Sequence, residues 1–150
     1  MKILHINTQS VRNKIDELTA ESSEYEILVL TETWLHPNIL SEEITIPFFN
    51  KPYRKDRTGD AHGGVAIYTR SNLTSKHRTD LEIDNLEATW CEVMVGRRKN
   101  LIGVIYRPPN AEVGYWNKVE ESIERAKATN IKQISVLGDM NCNLLVRTQN

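Results

Sequence analysis

Lys2-Ile3-Leu4-His5-Ile6-Asn7 and Ile27-Leu28-Val29-Leu30 are the two stretches on which the fold turns. The first is rich in Ile and Leu and ends on a polar residue, which predicts a strand that opens the domain. The second is a continuous apolar run, the pattern of a strand covered on both faces. Between them Val11, Ile15 and Leu18 recur at helical spacing, with Lys14, Asp16 and Glu17 on the wet side and Ser10 placed as N-cap. Strand, helix, strand in that order is a crossover unit of an α/β sheet.

Farther along, the pattern changes. Gly64 to Thr69, Ala88 to Val95 and Leu101 to Tyr106 read as successive strands, and the short segment Gly96 to Asn100 makes the last two an antiparallel hairpin. Pro108-Pro109 halts that run. A second helix then carries Trp116, Val119, Ile123 and Ala126 on its apolar side, which places Trp116 in the core alongside the strand residue Trp90. Ile134-Ser135-Val136-Leu137 is a last buried strand, and Gly138 starts the loop after it. The class is α/β with mixed sheets. The hairpins break the regular strand–helix alternation that a receiver-like binding module would need.

With 150 residues, 39% of them apolar, the chain suits one domain with a real core. Nineteen Lys and Arg against twenty Asp and Glu give a net charge of −1, which excludes a broadly basic, histone-like binder. Any affinity for nucleic acid must come from a site. Cys91 and Cys142 form no Cys-x-x-Cys pair and no His/Cys cluster, so a zinc site is not expected. The first residues lack the apolar run of a secretory signal, and no stretch approaches the roughly 20 apolar residues of a membrane span. These features predict a soluble, intracellular protein that is not secreted.

Four strands end on a distinctive polar residue: Asn7, Glu32, Tyr106 and Asp139, with Asn141 two positions on. In open α/β sheets ligands gather beyond the carboxyl ends of strands. Singly, each has a structural explanation: Asn7 and Gly138-Asp139 as turn residues, Glu32 as a solvated or capping group, Tyr106 as an amphipathic edge residue. Together, two carboxylates and an amide make an all-oxygen set suited to a hard cation such as Mg²⁺, with Mn²⁺ accepting the same ligands. Such a set fits a reaction at phosphate, with Asn141 and Tyr106 as neutral donors to the charge that develops.

Ile6-Asn7-Thr8-Gln9-Ser10, Leu30-Thr31-Glu32-Thr33-Trp34-Leu35, His62-Gly63-Gly64-Val65-Ala66-Ile67-Tyr68, Tyr106-Arg107-Pro108-Pro109 and Gly138-Asp139-Met140-Asn141 resemble, in order, the motifs of the endonuclease/exonuclease/phosphatase superfamily. The Thr-Glu-Thr-Trp-Leu and Tyr-Arg-Pro-Pro forms look most like the apurinic-type endonuclease domain of non-LTR retrotransposon polyproteins. The resemblance implies a DNase I-like, four-layer α/β sandwich in which two mixed sheets pack face to face between helices. It implies Glu32 as Mg²⁺ ligand with Asn7 close to the metal, Asp139 orienting or activating the attacking water, Asn141 contacting the scissile phosphate, and Tyr106 bonding the phosphate or its leaving oxygen. The implied reaction is phosphodiester hydrolysis on DNA that leaves a 3′-hydroxyl, in a nuclear polyprotein that continues into a reverse transcriptase.

The family's closing Ser-Asp-His segment has no counterpart in residues 1–150. The resemblance therefore implies a domain truncated before that motif, its C-terminal part missing, with little or no catalysis of its own. A nucleic-acid-binding remnant without activity is the competing class. Within the fold, phosphatases and phospholipases acting on other phosphoesters are the rivals. Arg54 and Arg57, in the basic segment around Tyr53, read equally as phosphate contacts or as solvated charge, whereas Arg97, Arg98 and Lys99 read as a charged turn. His62 beside Gly63-Gly64 is either a loop histidine or faces substrate. Trp34 is expected to pack under the site or, less simply, to stack on a base.

Overall fold

Alternation along the buried strands sorts their side chains into layers. In the computed structural model, which describes residues 1–142, β2 (Ile27–Thr31) sends Ile27 and Val29 to one face and Leu28 and Leu30 to the other. In β4 (Val65–Thr69), Val65 and Ile67 oppose Ala66 and Tyr68; in β7 (Arg98–Tyr106), Ile102, Val104 and Tyr106 oppose Leu101 and Ile105. A side-chain period of two makes this the only partition a pleated strand allows. Both sets are apolar because every one of these strands is covered on both sides.

The inward sets of the two sheets meet in one central layer, where Ile27, Val29, Val65 and Ile67 face Cys91, Val93, Ile102, Val104 and Tyr106. The outward set of the first sheet packs under α1 (Ile15–Glu21) through Leu18. That of the second lies under α2 (Tyr115–Lys127) through Val119 and Ala126. Helix, sheet, sheet, helix is the expected four-layer sandwich. Each fully buried Val, Leu or Ile contributes about 1.5–3 kcal/mol relative to exposure, so the central layer holds the two sheets in register.

With β1 (Ile3–Asn7), β3 (Tyr53–Lys55), β5 (Ser75–His77), β6 (Glu87–Val95) and β8 (Gln133–Asp139), the strand orders are β1-β2-β4-β3 and β5-β6-β7-β8. Two pairs are parallel. β1 runs beside β2 with Asn7 opposite Thr31, and β7 beside β8 with Tyr106 opposite Asp139. Parallel neighbours need a crossover, which α1 and α2 supply. The remaining pairs are antiparallel.

Several expectations need correction. Ser10 makes no capping bond; it sits at φ 87° before a single 3-10 turn, and Lys14 precedes α1. The hairpin turn is two residues, with Gly96 at the left-handed φ of 61° that such tight turns require, so Arg98, Lys99 and Asn100 belong to β7. β3 and β5 are three residues each, too short for a period to register. Trp90 is fully buried and donates its indole N–H to Ser122 Oγ at 2.9 Å, but Trp116 is 40% exposed. No described helix is long and apolar enough to cross a membrane.

Gly103 lies directly opposite Trp90, and a Cβ there would strike the indole ring. The ring cannot retreat, because Ser122 holds it from the helix side. Gly103→Val should therefore cost about 1–3 kcal/mol of stability by overpacking. The urea unfolding midpoint reads it, and an unshifted midpoint would show that the Trp90 layer is looser than described.

Candidate active site

The two parallel pairs finish at the same end of the sandwich, and their last residues bond across the gap between the sheets. Tyr106, at the end of β7, donates its hydroxyl to Glu32 Oε1, one residue past β2. Asn7, at the end of β1, donates Nδ2–H to Asp139 Oδ2, at the end of β8, at 3.1 Å. Four strand termini, two from each sheet, are thereby joined at one edge.

Glu32 is the best-held group. Besides Tyr106, Trp34 Nε1–H donates to its Oε2 at 2.6 Å and the Gly63 backbone N–H at 3.1 Å. Burial by itself would raise its pKa. The bonds from Tyr106, Trp34 and Gly63, with the charge of Arg57, outweigh burial and hold it below the usual carboxylate range. Tyr106 moves the opposite way: burial, then the bond to Glu32 and its charge, push the phenol up, so it remains a protonated donor.

Asp139 carries one donor on each oxygen, Asn7 Nδ2 on Oδ2 and the Asn141 backbone N–H on Oδ1 at 3.0 Å. Lone pairs remain on both for a water. Asn141 turns back through a left-handed φ of 43° and donates Nδ2–H to the Arg107 carbonyl at 2.7 Å, with its side-chain amide also against the Tyr106 hydroxyl. Asn7 and Asn141 are exposed and Asp139 half-buried.

A cleft of about 640 Å³ opens beside this edge, lined by Glu32, Trp34, Arg57, His62, Tyr106 and the loop after β7. A larger cavity, about 930 Å³, lies at the opposite ends of β7 and β8 and contains none of these residues. The converging polar groups, and not cavity size, locate the site.

The three substrate-contact candidates fare differently. Arg57 is in the cleft, 5.8 Å over the Tyr106 ring, paired with Glu87 at 2.8 Å and Asp60 at 3.2 Å. His62 is at the cleft mouth, its ring edge-on to Trp34 and its Nδ1 3.0 Å from Asp60. Arg54 is not brought to the cluster. All five of its N–H donors are absorbed by Asp56, Ser41 and the carbonyls of Ile39 and His36, in a largely buried position on the far side of β3. As a phosphate contact it is withdrawn.

Three contributors escaped the reading by residue type. Glu87 Oε1 accepts both Arg57 Nε and the Gly64 N–H, tying the glycine loop to β6. Gly63 and Gly64 are left-handed, at φ 73° and 85°; a side chain at Gly63 would run into Glu87 and Arg57, and at Gly64 into Thr33 Oγ1. Paired glycines immediately before an apolar run were the one visible signal. Of seven non-glycine residues with positive φ among those described, Gln9, Ser10, Glu32, Trp34 and Asn141 lie in or beside this edge. Such backbone persists where surrounding bonds over-determine it, and it gathers at functional sites.

Among the described residues no group of three or more His, Cys, Asp or Glu side chains converges as a metal cluster. A hard divalent cation asks for less. Mg²⁺ takes one or two carboxylates and keeps its waters. Glu32, ionised and with a lone pair left on Oε1, together with the amide of Asn7, fits that demand.

The chain belongs to the Endonuclease/Exonuclease/phosphatase family, whose sequence profile matches residues 4–145. Among solved structures it is similar to the endonuclease domain of TRAS1, a telomere-specific non-LTR retrotransposon, at 17% identity and TM-score 0.69, covering 94% of this chain and 59% of that one. It is similar to the 3′-5′ exonuclease NExo of Neisseria meningitidis at 18% identity and TM-score 0.69, covering 94% and 58%. The mannosyl-6-phosphatase Bt3783 of Bacteroides thetaiotaomicron VPI-5482 shares the fold at 12% identity and TM-score 0.63, covering 93% and 64%. The chain thus spans less than two thirds of the length of each. No curated protein matches it by sequence.

Tyr106→Phe and Trp34→Phe each remove one donor from Glu32, so in metal-free protein the Glu32 titration should move up in pH. A carboxyl carbon NMR titration reads this, and an unmoved midpoint would dissolve the assigned hydrogen bonds. The linkage has a definite sign. A depressed folded value stabilises the protein above the unfolded pKa of about 4.5 and loses that contribution as pH falls through the folded value. The variants should therefore show a flatter acid limb than the wild type.

Proposed function

We propose that this chain carries the catalytic face of a metal-dependent phosphodiesterase, specifically a DNA-nicking endonuclease of the non-LTR retrotransposon type. The observation that supports it best is the joining of four strand ends across two sheets by Tyr106–Glu32 and Asn7–Asp139. That arrangement sets an anionic, donor-held carboxylate and a second carboxylate at one edge, with neutral donors beside both.

In this reading Asp139 orients the attacking water and takes its proton as the oxygen adds to phosphorus. The Asn7 and Asn141 donors already on Asp139 aim its remaining lone pairs. Asn141 turns its amide N–H toward a non-bridging oxygen. Tyr106, kept protonated, donates to the phosphate or to the departing 3′-oxygen, whose bond to phosphorus breaks. A Mg²⁺ held by Glu32, with Asn7 beside it, would polarise the phosphoryl group, and Mn²⁺ suits the same donors. Arg57 adds positive potential behind Tyr106, and His62 faces substrate at the cleft mouth. Likeness to a retrotransposon endonuclease domain supports DNA as the partner. Membership of a nuclear polyprotein that includes a reverse transcriptase is part of the same proposal.

One observation favours a second reading, nucleic-acid binding without cleavage. Arg57 is already paired with Glu87 and Asp60, and Arg54 is spent internally, so neither of these two cations is free to neutralise a scissile phosphate. Nicking of supercoiled plasmid separates the two. Metal-dependent nicking, abolished by EDTA and reduced about 100-fold or more in Glu32→Gln and Asp139→Asn, is expected of the nuclease. Folded protein that retains DNA but never nicks it would establish the binding module. Cleavage of a sugar phosphate or lipid headgroup instead would redirect the fold to another phosphoester.

A further inference from the structure

Arg107 is bound into the site by its backbone. Its N–H donates to the Asp139 carbonyl at 2.8 Å, and its own carbonyl accepts Asn141 Nδ2 at 2.7 Å. Its side chain is far less satisfied. Nη1 and Nη2 make only long bonds of 3.3 Å, to the carbonyls of Asn141 and Ala111, and Nε is buried with no partner. Among the described residues no carboxylate pairs with it. A guanidinium with unspent, partly buried donors carries a desolvation cost that an anion would offset.

The guanidinium carbon lies 5.2 Å from the Trp116 ring centroid. Trp116 stands in the first turn of α2, at the helix position whose spacing points to the core, yet it keeps 40% of its surface open. The cause is its neighbour. Tyr115 turns inward instead, its hydroxyl donating to the Tyr106 carbonyl at 2.7 Å and accepting the Glu87 N–H at 3.0 Å. Those two bonds fix the rotation of the helix, and successive helical residues diverge by about 100°, so Trp116 is delivered outward against Arg107.

We propose that Arg107 and Trp116 form a nucleotide subsite flanking the scissile phosphate. Arg107 takes the neighbouring backbone phosphate, and Trp116 stacks on the base attached to it. The inference rests on the phosphodiesterase reading above and narrows it. An exposed indole backed by a cation rewards a ligand with both a phosphate and a π-face, which a nucleotide has and a sugar phosphate or lipid headgroup lacks. A base that stacks on Trp116 must give up the neighbouring base on that face, so the subsite favours single-stranded or unstacked nucleotides beside the cut.

The test is fluorescence anisotropy, in EDTA to prevent cleavage, of a labelled 12-residue thymidine oligonucleotide against the same backbone made of abasic residues. The wild type should bind the base-bearing strand about tenfold more tightly. Trp116→Ala should bring the two affinities together, and Trp116→Phe should keep most of the difference. Arg107→Gln should weaken both strands alike and lower the salt slope of binding by about one. Near-UV circular dichroism reports on the fold of each variant. An undiminished preference in Trp116→Ala would overturn the subsite and leave the nuclease reading intact. A folded wild type that binds neither strand would overturn both.

Discussion

The phenol of Tyr106 donating to the carboxylate of Glu32 is the bond on which this edge of the molecule depends. Its two ends belong to different sheets, so it forms only when the central apolar layer brings β2 and β7 face to face. Once made, it does two things together. It holds Glu32 anionic against the burial that would neutralise it, and the negative charge in turn keeps the phenol protonated. Each group thus reinforces the state in which the other is useful.

Everything else described serves to place those two residues. Each sheet contributes one parallel pair, and parallel pairs demand crossover helices, so α1 and α2 end up on opposite outer faces. Parallel strands also finish at the same end, which is why Asn7, Glu32, Tyr106 and Asp139 gather at one edge. Around them a second tier is tied down. Glu87 anchors both Arg57 and the glycine loop, and that loop returns a backbone N–H to Glu32. The chain of bonds runs from β6 through the loop to β2, so the carboxylate is braced from both sheets.

How much of this was legible depends on whether a feature is set by local pattern or by a distant partner. The strands with continuous Ile, Val and Leu could be read because burial on both faces leaves no room for polar residues. Asn7, Glu32, Tyr106 and Asp139 stood out because each interrupts or ends such a run. Arg54 and Arg57 could not be separated in advance, being three residues apart in the same basic segment. Strand parity turns Arg54 toward the carbonyls of His36 and Ile39, whereas Arg57 falls in a loop reaching Glu87, thirty positions on in sequence. Trp116 was misplaced for a comparable reason: its helical spacing is sound, but two hydrogen bonds from Tyr115 decide which way the turn faces.

The left-handed backbone at Gln9, Ser10, Glu32, Trp34 and Asn141 has a consequence for how such a chain changes over generations. Each such residue costs on the order of 1–3 kcal/mol that a glycine would largely recover. The replacements that relieve the backbone are thus among those that destroy the site. A copy released from selection for activity should gain stability as it loses chemistry, drifting toward glycine at these positions and leaving the apolar layers untouched. Glu32 and Trp34, a glutamate and a tryptophan in a conformation both disfavour, are where such drift would register first.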